Sequence, residues 1–174
     1  MNKEILFEGK YRKFVRKNGW EFVERHRSNQ VVVLIPVTDA REVVFVEQFR
    51  IPVEKKIIEF PAGLVNDMES FKDETLEETA RRELIEETGF EAGTLKKIRY
   101  APANSAVATD MLTVYYATDL KKVGDGGGDE SEQITVHVIP FAQVDAWLES
   151  QISQGKYVDL KVYAGLYYLK SKWN

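Results

Sequence analysis

Between Glu74 and Phe90 the chain reads ETLEETARRELIEETGF, and this segment has two faces. Leu76, Ala80 and Leu84 recur at i, i+4 and i+8, an apolar stripe that a helix would turn toward a core. Glu83, Glu86 and Glu87 recur at i, i+3 and i+4, so at about 100° per residue they share an arc of roughly 100°. Like charges at that spacing disfavour an isolated helix by a few tenths of a kcal/mol. They also stand near the C-terminal end, where the macrodipole disfavours anions. A divalent cation reverses the sign of both terms, because clustered carboxylate oxygens suit Mg²⁺ or Mn²⁺. The plainer alternative is a solvated acidic face, since Glu is a good helix former. The pattern predicts a helix over about 73–88, with Gly89 as its C′ stop.

Around this helix the sequence reads as strands. Residues 4–15 and 20–27 are two strands joined at Asn18-Gly19, a hairpin signal. VVVLIPV, 31–37, is a continuous β-branched run and hence a buried strand; Asp39-Ala40-Arg41 turns the chain into EVVFVEQF, 42–49, another central strand. Further strands are expected at 56–60, 95–100, 111–118 and 133–139. Pro140 suits the start of a helix over 141–151, and a last helix spans 158–172. Strands with helices interposed imply an α/β/α sandwich around a mixed β-sheet, preceded by an N-terminal β-hairpin region.

Length and composition close several routes. A chain of 174 residues is one domain of ordinary size, 1–174. A net charge of −4 argues against a general nucleic-acid partner. Without Cys there is no disulfide framework, thiolate metal site or thiol nucleophile, and with two His any metal site must be built from carboxylates and carbonyls. The opening MNKEILFEGK lacks the basic-then-apolar pattern of a signal peptide, and no apolar run is long enough to span a membrane. The expectation is a cytoplasmic protein with no membrane partner.

The order Arg82-Glu83-Leu84-Ile85-Glu86-Glu87-Thr88-Gly89-Phe90 resembles the second half of the Nudix hydrolase signature, and seven residues separate Glu74 from Arg82, as that signature requires. The signature has Gly with five residues between it and this Glu; here Met68 occupies that position and the nearest Gly is Gly63, with ten residues between. Either the loop between Gly63 and Glu74 carries five extra residues, or Glu69 is the first signature Glu and the insertion lies inside the helix. The uninterrupted Leu76/Ala80/Leu84 stripe favours the loop. Whether the extra residues are idle or reshape the pocket entrance stays open at this level.

The resemblance implies a Nudix fold and Mg²⁺-dependent hydrolysis of a pyrophosphate, with Mn²⁺ as a substitute. It assigns metal ligation to Glu83, Glu87 and the Ala62 carbonyl, with Glu86 as an additional ligand or catalytic carboxylate; Gly63 shapes the turn, and Arg82 and Glu74 brace loop and helix. Gln48-Phe49-Arg50 and Ile58-Glu59-Phe60-Pro61-Ala62-Gly63 resemble segments of ADP-ribose and nucleotide-sugar pyrophosphatases, which would put Arg50 and Glu59 beside substrate. Pro102 matches a substrate-side Pro of that group, although Pro102-Ala103-Asn104-Ser105 replaces the usual Pro-Gly-x-Ser and Asp110 stands where Glu is common. Asp129-Glu130-Ser131-Glu132 resembles the acidic loop that supplies the base, with Glu130 as general base and Glu132 as a metal or water contact, or the reverse; the Gly124–Gly128 run would lend it mobility. The N-terminal region, 1–38, is expected to join a homodimer and to offer Trp20 as a stacking platform for the base, the alternative being an ordinary core or interface Trp. The implied substrate is ADP-ribose or a related nucleoside diphosphate sugar. A nucleoside triphosphate pyrophosphatase and a catalytically silent nucleotide-sugar sensor are the alternatives.

Overall fold

The β-branched run forms β4 (Gln30–Pro36), a strand buried on both faces. Alternate residues feed two separate cores, as the strand period of two requires. Val32 and Leu34 pack with Val65, Tyr115 and Ala117 beneath Ala80, Leu84 and Leu76 of α1 (Leu76–Thr88), so the apolar stripe is buried as expected. Val33, Ile35 and Val37 face the other way, into a core with Phe45, Ile58, Phe60, Val144, Leu148, Val162, Leu166 and Leu169. In this computed structural model the described residues are 3–66, 68–128 and 133–173.

Three sheets result. The N-terminal one is antiparallel: β1 (Lys3–Glu8), β2 (Arg12–Lys17) and β3 (Trp20–Arg25). The chain expected as one strand over 4–15 is therefore a hairpin of two, because it reverses at Gly9, whose N–H donates to the Arg12 carbonyl at 2.9 Å. The second sheet has the order β10-β5-β6-β11, formed by β5 (Glu42–Arg50), β6 (Lys55–Glu59), β10 (Ile134–Pro140) and β11 (Tyr157–Val158), the last parallel to β6. The third runs β7-β4-β9-β8, with β7 (Ala62–Leu64), β8 (Phe90–Pro102) and β9 (Met111–Lys122), β4 and β9 being parallel. Both four-stranded sheets are mixed, and the single bridge Val37–Val43 links β4 to β5. The helices α2 (Val144–Ser153) and α3 (Leu160–Trp173) cover the core opposite α1, which completes the sandwich.

Three helix starts differ from expectation, the last because Tyr157 and Val158 pair with β6 as β11 and α3 begins only at Leu160. α1 begins at Leu76, because Thr75 is its N-cap: the Thr75 hydroxyl accepts from Glu78 N–H at 3.2 Å, and Glu78 accepts from Thr75 N–H at 2.8 Å. This capping box was written in the sequence as Thr75-x-x-Glu78. Pro140 ends β10, and a 3₁₀ turn (Phe141–Gln143) intervenes before α2. Gly89 closes α1 with φ 70°, donating to the Ile85 carbonyl at 2.8 Å.

Candidate active site

The turn Phe60-Pro61-Ala62-Gly63 brings β7 against the acidic face of α1. It is anchored by Phe60, which stacks on Phe45 with centroids 5.3 Å apart, and Phe45 stacks on Trp147 at the same distance. The Ala62 N–H donates to Glu87 Oε2 at 3.0 Å, and Glu87 is only 4% exposed. Glu83 lies so close over Gly63 that a Cβ there would come within 1.9 Å of its Cδ. A Gly is required at 63 to admit this carboxylate, whatever the backbone conformation.

Arg82 organises the carboxylates. Its Nε lies 3.0 and 3.2 Å from the two Glu74 oxygens and its Nη2 3.2 Å from Glu74 Oε2. Its Nη1 is shared between Glu83 at 2.9 Å and Glu86 at 2.8 Å. Burial works against the guanidinium charge, but the hydrogen bond to Glu74 and the charges of Glu83 and Glu86 outweigh it, and its pKa is raised. Thr79 adds a hydrogen bond to Glu74 at 3.0 Å. The bracing expected of Glu74 and Arg82 is therefore present, and it favours Glu74 over Glu69 as the signature residue. Glu69 instead pairs with Arg27 and Lys72.

Ala62, Gly63, Arg82, Glu83 and Glu86 border a cleft of about 440 Å³, lined also by Arg50, Glu59, Arg25 and Lys161, while Glu74 and Glu87 stand behind its wall and do not line it. Arg50 Nε and Glu59 Oε2 are paired at 2.6 Å, with Glu59 nearly buried. The wall thus alternates cations with carboxylates, suiting an anion accompanied by a cation. Among the described residues, no three His, Cys, Asp or Glu side chains are grouped closely enough to hold a metal ion as they stand. The donor set nevertheless fits a hard divalent cation: oxygen only, with a carboxylate seated in a cradle that a Cβ would fill.

Other expected site residues stand apart. Trp20, 67% exposed, begins β3 at the hairpin turn and does not line the cleft. Pro102 ends β8 opposite Met111, also away from the cleft. Glu130 and Glu132 lie outside the described residues. The Gly run just before them is docked: Gly127 and Gly128 N–H groups donate to the Glu87 and Glu86 carbonyls, each at 3.0 Å. Gly126 to Gly128 all have positive φ, and a Cβ at Gly126 would lie 2.4 Å from the Thr88 carbonyl carbon. These glycines therefore cap the α1 C-terminus as well as leading into residues 129–132.

Sequence reasoning missed Arg25, Lys161, Met68 and Phe71 as cleft residues. Arg25 makes a two-pronged pair with Asp110 at 3.0 and 3.1 Å, which ties the N-terminal sheet to the loop between β8 and β9. Nothing local marks such residues; they meet the cleft only through the packing of sheets. Among the described residues, no helix is long and apolar enough to cross a membrane.

The family model described as NUDIX domain matches residues 28–160. A GDP-mannose pyrophosphatase of Enterobacter sp. (strain 638) is 32% identical over 163 residues, covering 85% of this chain and 81% of that protein. An ADP-ribose pyrophosphatase of Bacillus subtilis (strain 168) is 32% identical over 142 residues, covering 81% and 72%. A solved ADP compounds hydrolase superposes with a TM-score of 0.67 at 23% identity, over 86% of this chain and 81% of that one, which supports the fold.

Proposed function

The chain belongs to the NUDIX family, and on that premise we propose that it hydrolyses the pyrophosphate bond of ADP-ribose or a related nucleoside diphosphate sugar, such as a GDP-sugar, with Mg²⁺ as cofactor. The observation that carries the reading is the convergence of Glu83, Glu86, Arg82, Ala62 and Gly63 with Arg50, Glu59 and Lys161 on one cleft. Relatives that share about a third of their residues over most of their length are a GDP-mannose and an ADP-ribose pyrophosphatase, which supports the sugar class.

Glu83, Glu87, Glu86 and the Ala62 carbonyl would hold the metal, which when bound neutralises charge on the phosphate oxygens and lowers the pKa of water. Arg50 and Lys161 supply positive charge for the diphosphate, and Glu59 keeps Arg50 in place. Arg82 spaces the carboxylates without touching substrate. Glu130, or Glu132, takes the proton from the attacking water. Support for that assignment is the docking of Gly128, two residues before Glu130, on the Glu86 carbonyl. Water then adds to one phosphorus in line, the bridging P–O bond breaks, and a nucleoside monophosphate and a sugar phosphate leave.

A homodimer in the cytoplasm belongs to the same proposal. Its support is the N-terminal sheet, which leaves Ile5, Phe7, Tyr11, Phe14 and Trp20 exposed and would bring Trp20 to a base in a partner's cleft. A substrate panel with product detection tests the activity: sugar phosphate and nucleoside monophosphate are expected. Pyrophosphate from nucleoside triphosphates, or binding without turnover, would overturn it.

A further inference from the structure

The described residues between Gly63 and Glu74, 64–66 and 68–73, are held by a set of local contacts. Val65 is 4% exposed and is pinned by its N–H to the Gln30 carbonyl at 3.1 Å. Asn66, at φ 58°, faces back into the loop; with its amide nitrogen turned inward it donates to the carbonyls of Phe71, Lys72 and Glu74 at 2.9, 3.2 and 3.1 Å. A 3₁₀ turn (Glu69–Phe71) follows, with Phe71 N–H on the Met68 carbonyl and Glu74 N–H on the Phe71 carbonyl, both at 3.1 Å. The result presents the Phe71 ring to Arg82, whose Cζ lies 4.2 Å from the ring centroid, and both residues line the cleft.

We propose that Phe71, carried by the extra residues of this loop, is a positioning residue for the metal ligands and acts through Arg82. Arg82 has five N–H donors in a rigid fork and three carboxylates around it. In the observed arrangement the Nε and Nη2 edge is spent on Glu74, and only Nη1 reaches Glu83 and Glu86. A ring against the guanidinium restrains its rotation and adds cation–π attraction. Without the ring, the fork is free to turn a two-nitrogen edge onto Glu83 or Glu86. Two-pronged pairing is the stronger mode, so the guanidinium would then compete with a cation for the same oxygens. Phe71 thus biases Arg82 toward Glu74 and keeps the helix carboxylates available. The inference rests on the proposed metal role of Glu83, Glu86 and Glu87.

The test is Mn²⁺ binding to the full chain, followed by electron paramagnetic resonance of free Mn²⁺, for wild type, Phe71→Ala, Phe71→Leu, Phe71→Trp, Arg82→Lys and Phe71→Ala/Arg82→Lys. Phe71→Ala and Phe71→Leu are expected to weaken binding about three- to tenfold, and Phe71→Trp, which keeps a flat ring, to restore it. On the Arg82→Lys background, which lacks the fork, Phe71→Ala should change nothing further. For Phe71→Ala and Phe71→Leu the half-activating Mn²⁺ concentration should rise in step with the loss of affinity, so that activity falls more at limiting than at saturating Mn²⁺. Wild-type affinity in Phe71→Leu, or an equal loss on the Arg82→Lys background, overturns the proposal. Absence of Mn²⁺ binding by the wild type would overturn the metal reading and this one together.

Discussion

Replacing Gly63 by Ala isolates the seat of Glu83 from the stability of the fold. The new Cβ would stand 1.9 Å from Glu83 Cδ, 2.1 Å from its Oε1 and 2.2 Å from its Cγ. Ordinary carbon contacts lie at about 3.5–4.0 Å, so the carboxylate must retreat by roughly 1.5 Å or more. It is the outer part of a flexible side chain at the edge of a cleft, so it moves without dragging backbone along. Gly63 lies in β7 and has no positive φ, so Ala suits its backbone. The unfolded chain becomes stiffer, which by itself adds about 0.4–1 kcal/mol of stability. Tm should therefore shift by no more than about 4 °C. A misplacement of about 1 Å in a catalytic group costs on the order of 10²-fold, so kcat/KM should fall by at least about that factor. Steady-state hydrolysis of ADP-ribose and GDP-mannose in saturating Mg²⁺, beside thermal unfolding of the same samples, reads both quantities. Activity within about threefold of wild type would refute the seating of Glu83 over Gly63 as a functional contact.

Gly126→Ala should behave in the opposite way: with φ 73° and backbone atoms of Thr88 and Gly89 at 2.4 and 2.7 Å from the new Cβ, nothing flexible can yield, and Tm and activity should fall together. Glu87→Gln keeps an oxygen to accept from the Ala62 N–H, so it should fold normally yet lose at least about 10²-fold in kcat; a near-wild-type rate in saturating Mg²⁺ would end its assignment as a ligand. Glu47 is 4% exposed: burial pushes its carboxyl up, but hydrogen bonds from Lys156, Lys56 and His137 prevail and hold it at about 2, below the ordinary 4.5. A folded value below the unfolded one gives stability that is present above pH 4.5 and fades as pH falls toward 2, worth about 3 kcal/mol near neutrality. Urea unfolding should show wild type more stable than Glu47→Gln at pH 7 and the gap narrowing by pH 3; a constant gap would contradict the pairing.

What could be read from the chain alone was what depends on neighbours in sequence. The α1 stripe Leu76/Ala80/Leu84, the β4 run and the Gly89 stop follow from periods of 3.6 and 2 and from backbone preference, and each is found in place. The carboxylate set Glu83, Glu86 and Glu87 was legible for the same reason, since one helix presents it. The split of the mixed sheet into two depends on whether β4 and β5 stay paired beyond the single bridge Val37–Val43, which is a matter of packing. Arg25 is held at the cleft wall by Asp110, 85 positions away in sequence, from the loop between β8 and β9. Phe71 likewise looked like one residue of an unassigned insertion until Asn66 and the 3₁₀ turn aimed it at Arg82. Sequence by itself determined which helix bears the acids and what lies beneath it, because helix and strand periods are local. Only the tertiary structure decided which cations, which glycine and which ring surround those acids, because those contacts join chain segments that no spacing rule connects.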